Sequence, residues 1–178
     1  IDFYTSWCGP CKVMTAEVFP QEKVGKFYNQ HFINCKVQCD DNGKGVIVGE
    51  KYQVNAYPTL MFLDKEGKMI HTAVGSMSDA EFVDLGAIAT DPNRNLSGML
   101  KDWENGRRDT AFVRYYMSTL KESYRNGLAS SGFEDYFKKC DAKQKNSLFV
   151  FDLMKLIGYG PGSDMFTYLE NNRKAFYK

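Results

Sequence analysis

Two cysteines carry the strongest chemical signal in this 178-residue chain: Cys8 and Cys11, in the run Trp7-Cys8-Gly9-Pro10-Cys11-Lys12. Thiol–disulfide exchange needs one sulfur as a thiolate. A helix N-terminus supplies unpaired N–H groups and the positive end of the helix dipole to stabilise it. With Cys8 at the start of a helix and Cys11 one turn inside, the two sulfurs can approach each other. Cys8 is then expected to be exposed to a substrate disulfide, with Cys11 shielded until it resolves the mixed disulfide. Pro10 fits the first helical turn, and Gly9 leaves the backbone open to an incoming peptide. The competing chemistry is a zinc site shared with Cys35-x3-Cys39. If those two lie on one strand face they are about 13 Å apart, too far to grip one ion or to bond each other. Cys35 and Cys39 are therefore expected to be buried, small apolar residues. Cys140 is the fifth cysteine and is expected on a helix face. An odd count is unlike a disulfide-stapled scaffold.

Other chemistry-bearing residues are few. Asp2 sits inside the apolar run Ile1-Asp2-Phe3-Tyr4, a place that favours burial and a raised pKa over a surface carboxylate. Pro58, in Ala56-Tyr57-Pro58-Thr59, precedes a strand. A trans bond there would merely start the strand. A cis bond, about 5% of X–Pro cases, would turn the backbone sharply and present the Tyr57 amide and carbonyl to an extended substrate; the residues alone leave both open. His31 and His71 lack paired-ligand spacing and are expected to be packing or surface residues. Arg107-Arg108 and Lys138-Lys139 read as solvated pairs. Gly158-Tyr159-Gly160-Pro161-Gly162 lacks the Lys-Ser/Thr of a phosphate loop and reads as a helix-to-helix turn.

The elements that must position these residues alternate through the first half. Ile1–Tyr4 reads as a buried strand, ended by Thr5-Ser6. A helix runs from Cys8 through Val13, Met14 and Val18 to a break at Pro20. Pro20 also suits the first turn of a second helix, in which Val24, Phe27, Tyr28 and His31 share a face. Phe32–Cys39 alternates Ile33, Cys35, Val37 and Cys39 against polar residues, the period of a strand with one buried face. Residues 44–52 can make a short helix. Thr59–Leu63 and Met69–Val74, joined by Asp64-Lys65-Glu66-Gly67, form a hairpin signature. Ser78-Asp79-Ala80-Glu81 is a capping box that opens a helix through Phe82, Leu85 and Ile88. After Thr90-Asp91-Pro92-Asn93 the strand signals stop. Leu96–Asn105, Asp109–Asn126, Ser131–Lys139, Ser147–Gly158 and Ser163–Tyr177 read as amphipathic helices. This gives two domains, an α/β domain over 1–90 and a helical one over 91–178.

Composition agrees with this division. Residues 1–90 hold 8 Lys+Arg against 11 Asp+Glu, a charge of −3, and residues 91–178 hold 15 against 11, a charge of +4. The whole chain carries +1, which argues against a dedicated nucleic-acid or membrane-surface protein. No run approaches the roughly 18 apolar residues of a membrane span. The chain opens on a strand without an initiator Met, so residues before Ile1 are expected to be missing or cleaved, and any signal peptide with them.

The residues Asp2-Phe3-Tyr4, Trp7-Cys8-Gly9-Pro10-Cys11-Lys12, Lys36-Val37, Tyr57-Pro58-Thr59, Gly67 and Gly75 resemble the thioredoxin family in order and spacing, over roughly residues 1–90. The resemblance implies a thioredoxin-like sheet flanked by helices, with the family's first strand and helix absent here and an all-α C-terminal extension. It implies Cys8 as nucleophile and Cys11 as resolving thiol. Asp2 matches the buried acid that assists proton transfer with the resolving cysteine, and Lys36 the basic residue near that acid. Pro58 corresponds to the family's cis-proline. Trp7, Gly9, Pro10, Tyr57, Pro58 and Gly75 are implied as the substrate-holding surface.

The implied activity is reduction of protein or peptide disulfides with no metal or organic cofactor, turnover requiring a redox partner as electron donor. A Gly-Pro pair between the cysteines implies a potential near about −270 mV. Disulfide isomerase or oxidase work, and a non-catalytic adaptor binding partners through the helical half, are the other readings. Tyr4 departs from the Trp common in thioredoxins. The Pro20 break and helical extension resemble the thioredoxin-like modules of bacterial cell-envelope proteins. An extracytoplasmic location, periplasm or cell envelope, is therefore expected ahead of a cytoplasmic one.

Overall fold

The computed structural model describes residues 1–176. The chain divides into two compact units, Ile1–Asp102 and a second beginning at Trp103. The first carries a four-stranded sheet in the order β2-β1-β3-β4, built from β1 (Asp2–Tyr4), β2 (Lys36–Gln38), β3 (Thr59–Leu63) and β4 (Met69–Val74). Strand β1 runs parallel to β2 and antiparallel to β3, and β3–β4 is the antiparallel hairpin its turn residues predict. Around the sheet lie α1 (Gly9–Val13), continuing as a π-helical turn over Met14–Val18, then α2 (Glu22–His31), α3 (Lys44–Lys51) and α4 (Asp79–Thr90). The element order matches the sequence reading. α5 (Leu96–Glu104) closes the unit.

Both faces of β3 are buried. Leu60 and Phe62 face a core with Met14, Val18, Val24, Tyr28, Phe82, Leu85 and Ala89. Tyr28 stacks on Phe82 at 4.1 Å and donates its hydroxyl to the Phe82 carbonyl at 2.7 Å. On the opposite face Phe3 is fully buried and packs against Tyr52 at the end of α3. Each such apolar side chain stabilises the fold by about 1.5–3 kcal/mol through its removal from water. α3 approaches the end of β2 so closely that a Cβ at Gly45 would overlap the Gln38 carbonyl oxygen.

The Ser78 capping box forms as read. The Ser78 hydroxyl accepts the Glu81 amide at 3.3 Å, while Glu81 Oε2 accepts the Ser78 amide at 2.8 Å. Ser78→Ala is expected to lower stability by about 1 kcal/mol, read as a lower urea midpoint at unchanged slope.

Several expectations are corrected. The Phe32–Cys39 strand shrinks to Lys36–Gln38, which pair with Asp2–Tyr4 of β1. Ile33 is 93% exposed, and Cys35 is exposed rather than buried. Phe32 and Ile33 instead line an open groove of about 640 Å³ with Phe19, Val24 and Tyr28. Cys39 is half-buried, its thiol directed at the Val37 and Gly45 carbonyls. Pro20 lies ahead of α2 rather than in its first turn, since Gln21 caps that helix. The sequence placed the domain boundary at 90/91, and the compact units divide later, between Asp102 and Trp103. The start of α5 is tied back to the first unit, where His71 Nδ1 accepts the Leu96 amide at 3.1 Å and the Asn95 side chain donates to the Ala89 carbonyl at 3.1 Å.

The second unit is helical, with α6 (Thr110–Glu122), α7 (Asn126–Lys139), α8 (Ala142–Lys145), α9 (Leu148–Ile157) and α10 (Asp164–Phe176). Phe112, Val113, Met117, Leu120, Phe133, Val150 and Leu153 fill its core. α7 begins at Asn126, before the expected Ser131, and α8 was not anticipated. Gly158 ends α9 in the left-handed region at φ 85°, which only glycine adopts without strain. Cys140 caps α7 and is buried, so it does not present a helix face. Tyr177, expected in the last helix, lies outside the described residues. Among the described residues no helix is long and apolar enough to cross a membrane.

Candidate redox site

Strand β1 delivers the chain into a turn at Thr5–Ser6, and the first helix starts immediately after Cys8. Cys8 is the N-cap of α1. Its extended backbone (φ −72°, ψ 107°) turns Sγ toward the helix, where it accepts the Cys11 amide at 3.1 Å. Cys8 and Cys11 form a disulfide with their Cα atoms 5.3 Å apart. An amide pointed at the Cys8 sulfur favours negative charge there, the arrangement that stabilises a thiolate. Pro10 lies in the first turn of α1, as its spacing predicts. A Cβ at Gly9 would meet nothing within 4 Å, so the backbone between the cysteines is open.

The expected contrast between an exposed Cys8 and a shielded Cys11 does not appear: each is 3% exposed. The cap geometry and the disulfide draw Cys8 inward. The exposed group at this end is Trp7, at 70%. Its indole packs edge-on against the Tyr57 ring at 6.1 Å, bringing the cysteine turn and the Pro58 loop together. The Tyr57–Pro58 peptide bond is cis. Pro58 is buried at the head of β3, and its carbonyl accepts the Gly75 amide at 2.9 Å. Gly75 has φ 105°, in the region that favours glycine.

Asp2 and Lys36 are brought together by register. Asp2 pairs with Lys36 on one side and Leu60 on the other, and directly paired residues share a sheet face. The Lys36 ammonium lies 3.6 Å from Asp2 Oδ2, an ion pair too long for a hydrogen bond. Asp2 is only 7% exposed, and among the described residues neither of its oxygens has a hydrogen-bond partner. Burial therefore holds its pKa above the ordinary carboxylate value, against a smaller opposing pull from Lys36.

Three contributors escaped the sequence reading. The Asp40 carboxylate accepts both the Ser6 amide (2.9 Å) and the Ser6 hydroxyl (2.5 Å), pinning the turn that carries Trp7 and Cys8. The thiol of Cys39 interacts with the Tyr57 hydroxyl. Thr15 bridges the Cys11 carbonyl and Lys36. Asp40 and Cys39 follow β2 with no motif to mark them, and a threonine inside a helix gives no local signal. Among the described residues no group of three or more His, Cys, Asp or Glu is disposed to hold a metal ion.

The family model described as Thioredoxin matches residues 1–85. A thioredoxin-like protein of Synechocystis is 32% identical over 83 residues, covering 47% of this chain and 72% of its own length. Thioredoxin-T of Drosophila melanogaster is 34% identical over 79 residues, covering 44% of this chain and 46% of its own; the match thus spans about half of that relative. A solution structure from Bacteroides thetaiotaomicron, described as a candidate disulphide-isomerase, has a TM-score of 0.45 and 36% identity over 51% of this chain and 74% of that one.

Proposed function

The chain belongs to the thioredoxin family, and on that premise we propose that it reduces disulfide bonds in protein or peptide substrates through Cys8 and Cys11. The observation that carries this is the Cys11 amide directed at the Cys8 sulfur at the helix start, which makes Cys8 the better thiolate of the pair. The reduced Cys8 thiolate attacks one sulfur of a substrate disulfide and forms a mixed disulfide. The other substrate sulfur leaves as a thiolate and takes up a proton. Cys11 then gives its proton to the Asp2 carboxylate and attacks Cys8 Sγ. The Cys8–Cys11 disulfide forms and the second substrate thiol is released. Two electrons pass from the dithiol to the substrate, and an external donor must restore them.

Asp2 suits proton transfer because its raised pKa brings a carboxylate closer to the working pH. Lys36 offsets its charge when ionised. Trp7, Tyr57 and Pro58 are the surface on which an extended substrate would lie, with the Tyr57 backbone offering its hydrogen-bonding groups and the open Gly9–Pro10 backbone admitting its chain.

The test is a redox titration of the Cys8–Cys11 pair against glutathione, with Cys11→Ser as control. A midpoint below about −250 mV is expected. One above about −200 mV would overturn the reductase assignment in favour of isomerase or oxidase work. The absence of any two-electron transition would leave the helical unit's partner binding as the activity.

A further inference from the structure

We propose that Thr15 is a positioning residue that holds the Lys36 ammonium against Asp2 and ties it to the backbone of Cys11. A hydroxyl has one proton to give and lone pairs to receive. The Thr15 proton is committed to the Cys11 carbonyl at 3.0 Å. That turns an oxygen lone pair toward Lys36 Nζ, 2.7 Å away. Among the described residues the ammonium is held by nothing else as short. It lies 3.6 Å from Asp2 Oδ2, 4.6 Å above the Tyr4 ring and 5.6 Å from the Phe19 ring.

The tether matters because the Lys36 side chain is 41% exposed. A lysine on a flexible stem loses rotamer entropy when fixed, and the weak 3.6 Å pair gives it little reason to stay. Asp2 depends on it staying. Among the described residues, the side chain whose charge acts on this carboxylate is the Lys36 ammonium; the Cys39 thiol also feels the Asp2 charge. Burial is the larger influence on the raised Asp2 pKa and Lys36 the largest opposing pull, so residence of the ammonium beside the carboxylate moderates how far Asp2 is raised. Thr15 stands at the start of the π-helical turn, where the Phe19 amide reaches back to the Met14 carbonyl at 2.9 Å. Such turns recur where a helix must re-aim side chains at a site.

The inference rests on the proposed proton-accepting role of Asp2, and the experiment separates the two. The Asp2 carboxyl is titrated by carbon NMR in the oxidised protein, for the parent chain, Thr15→Val, Thr15→Ser, Lys36→Ala and Thr15→Val/Lys36→Ala. The pH profile of mixed-disulfide resolution is measured on the same set. Thr15→Val keeps the shape and loses the hydroxyl, so its Asp2 midpoint is expected to move upward, in the same direction as Lys36→Ala and by no more. Thr15→Ser should restore the parent midpoint. The double variant should match Lys36→Ala alone, because Thr15 acts through Lys36. A Thr15→Val midpoint equal to the parent's, or an equal shift in the Lys36→Ala background, overturns the proposal. Midpoints that move as expected while the resolution profile ignores them support the clamp and overturn Asp2 as the proton acceptor.

Discussion

Cys8→Ser is expected to bring disulfide reduction down to the uncatalysed rate, a loss on the order of a thousandfold or more, while Cys11→Ser is expected to stop after one half-reaction. A serine hydroxyl stays protonated at neutral pH and cannot form the mixed disulfide, so the Cys11 amide at the Cys8 position would have no thiolate to stabilise. Cys11→Ser keeps the nucleophile and removes the resolving sulfur. It should accumulate a covalent protein–substrate adduct that dithiothreitol releases. Insulin turbidity and intact-mass measurement distinguish the two. Substantial turnover by Cys8→Ser, or no trapped adduct with Cys11→Ser, would contradict the assignment of roles.

The second large effect is on stability and comes from His71. This side chain on β4 is 4% exposed, and its Nδ1 accepts the Leu96 amide, so the buried ring is neutral. Burial lowers its pKa from 6.5 to about 4. The native protein therefore resists protonation between those values while the unfolded chain accepts it. In that window the unfolded state binds more protons, so stability rises with pH and is lost as pH falls through it. The loss is about 2 kcal/mol at pH 5 and approaches about 3 kcal/mol below pH 4. Urea unfolding of the parent chain and of His71→Gln from pH 7.5 to 4.5 should show the parent's excess acid sensitivity, with the titration of Asp2 common to both. Parallel pH profiles for the two, or a His71 ring titrating near 6.5 by proton NMR, would refute it. The residue types around His71 gave no hint of this. Its spacing matched no ligand pattern, and the amide that its Nδ1 accepts is at the start of α5, twenty-five residues further along.

Much of the fold was legible because its signals are local. The hairpin Thr59–Leu63/Met69–Val74 declared itself by two apolar runs around a Gly-containing turn, and the Ser78 box by donors and acceptors three residues apart. Cys8 and Cys11 needed only one helical turn between them to meet. Where the reading failed, the deciding partner lay far away in the chain. Alternation made Ile33 and Cys35 look buried, yet alternation says only that one face differs from the other. Whether that face is covered depends on which elements lie alongside, and the part of this segment that pairs with β1 is Lys36–Gln38.

The sequence by itself therefore determined the chemistry that short spacing can specify: a dithiol at a helix start, a carboxylate embedded in an apolar strand, a proline at a strand head. Tertiary structure decided the contacts through which those pieces act on one another. Strand register set Lys36 beside Asp2, and burial shifted that carboxylate's proton affinity. A hydroxyl on the first helix linked the ammonium to the Cys11 backbone, and Asp40 fixed the turn bearing Trp7. These are contacts between residues up to tens of positions apart. Their strength depends on distance and on exclusion of water, and neither is encoded in the spacing of residues along the chain.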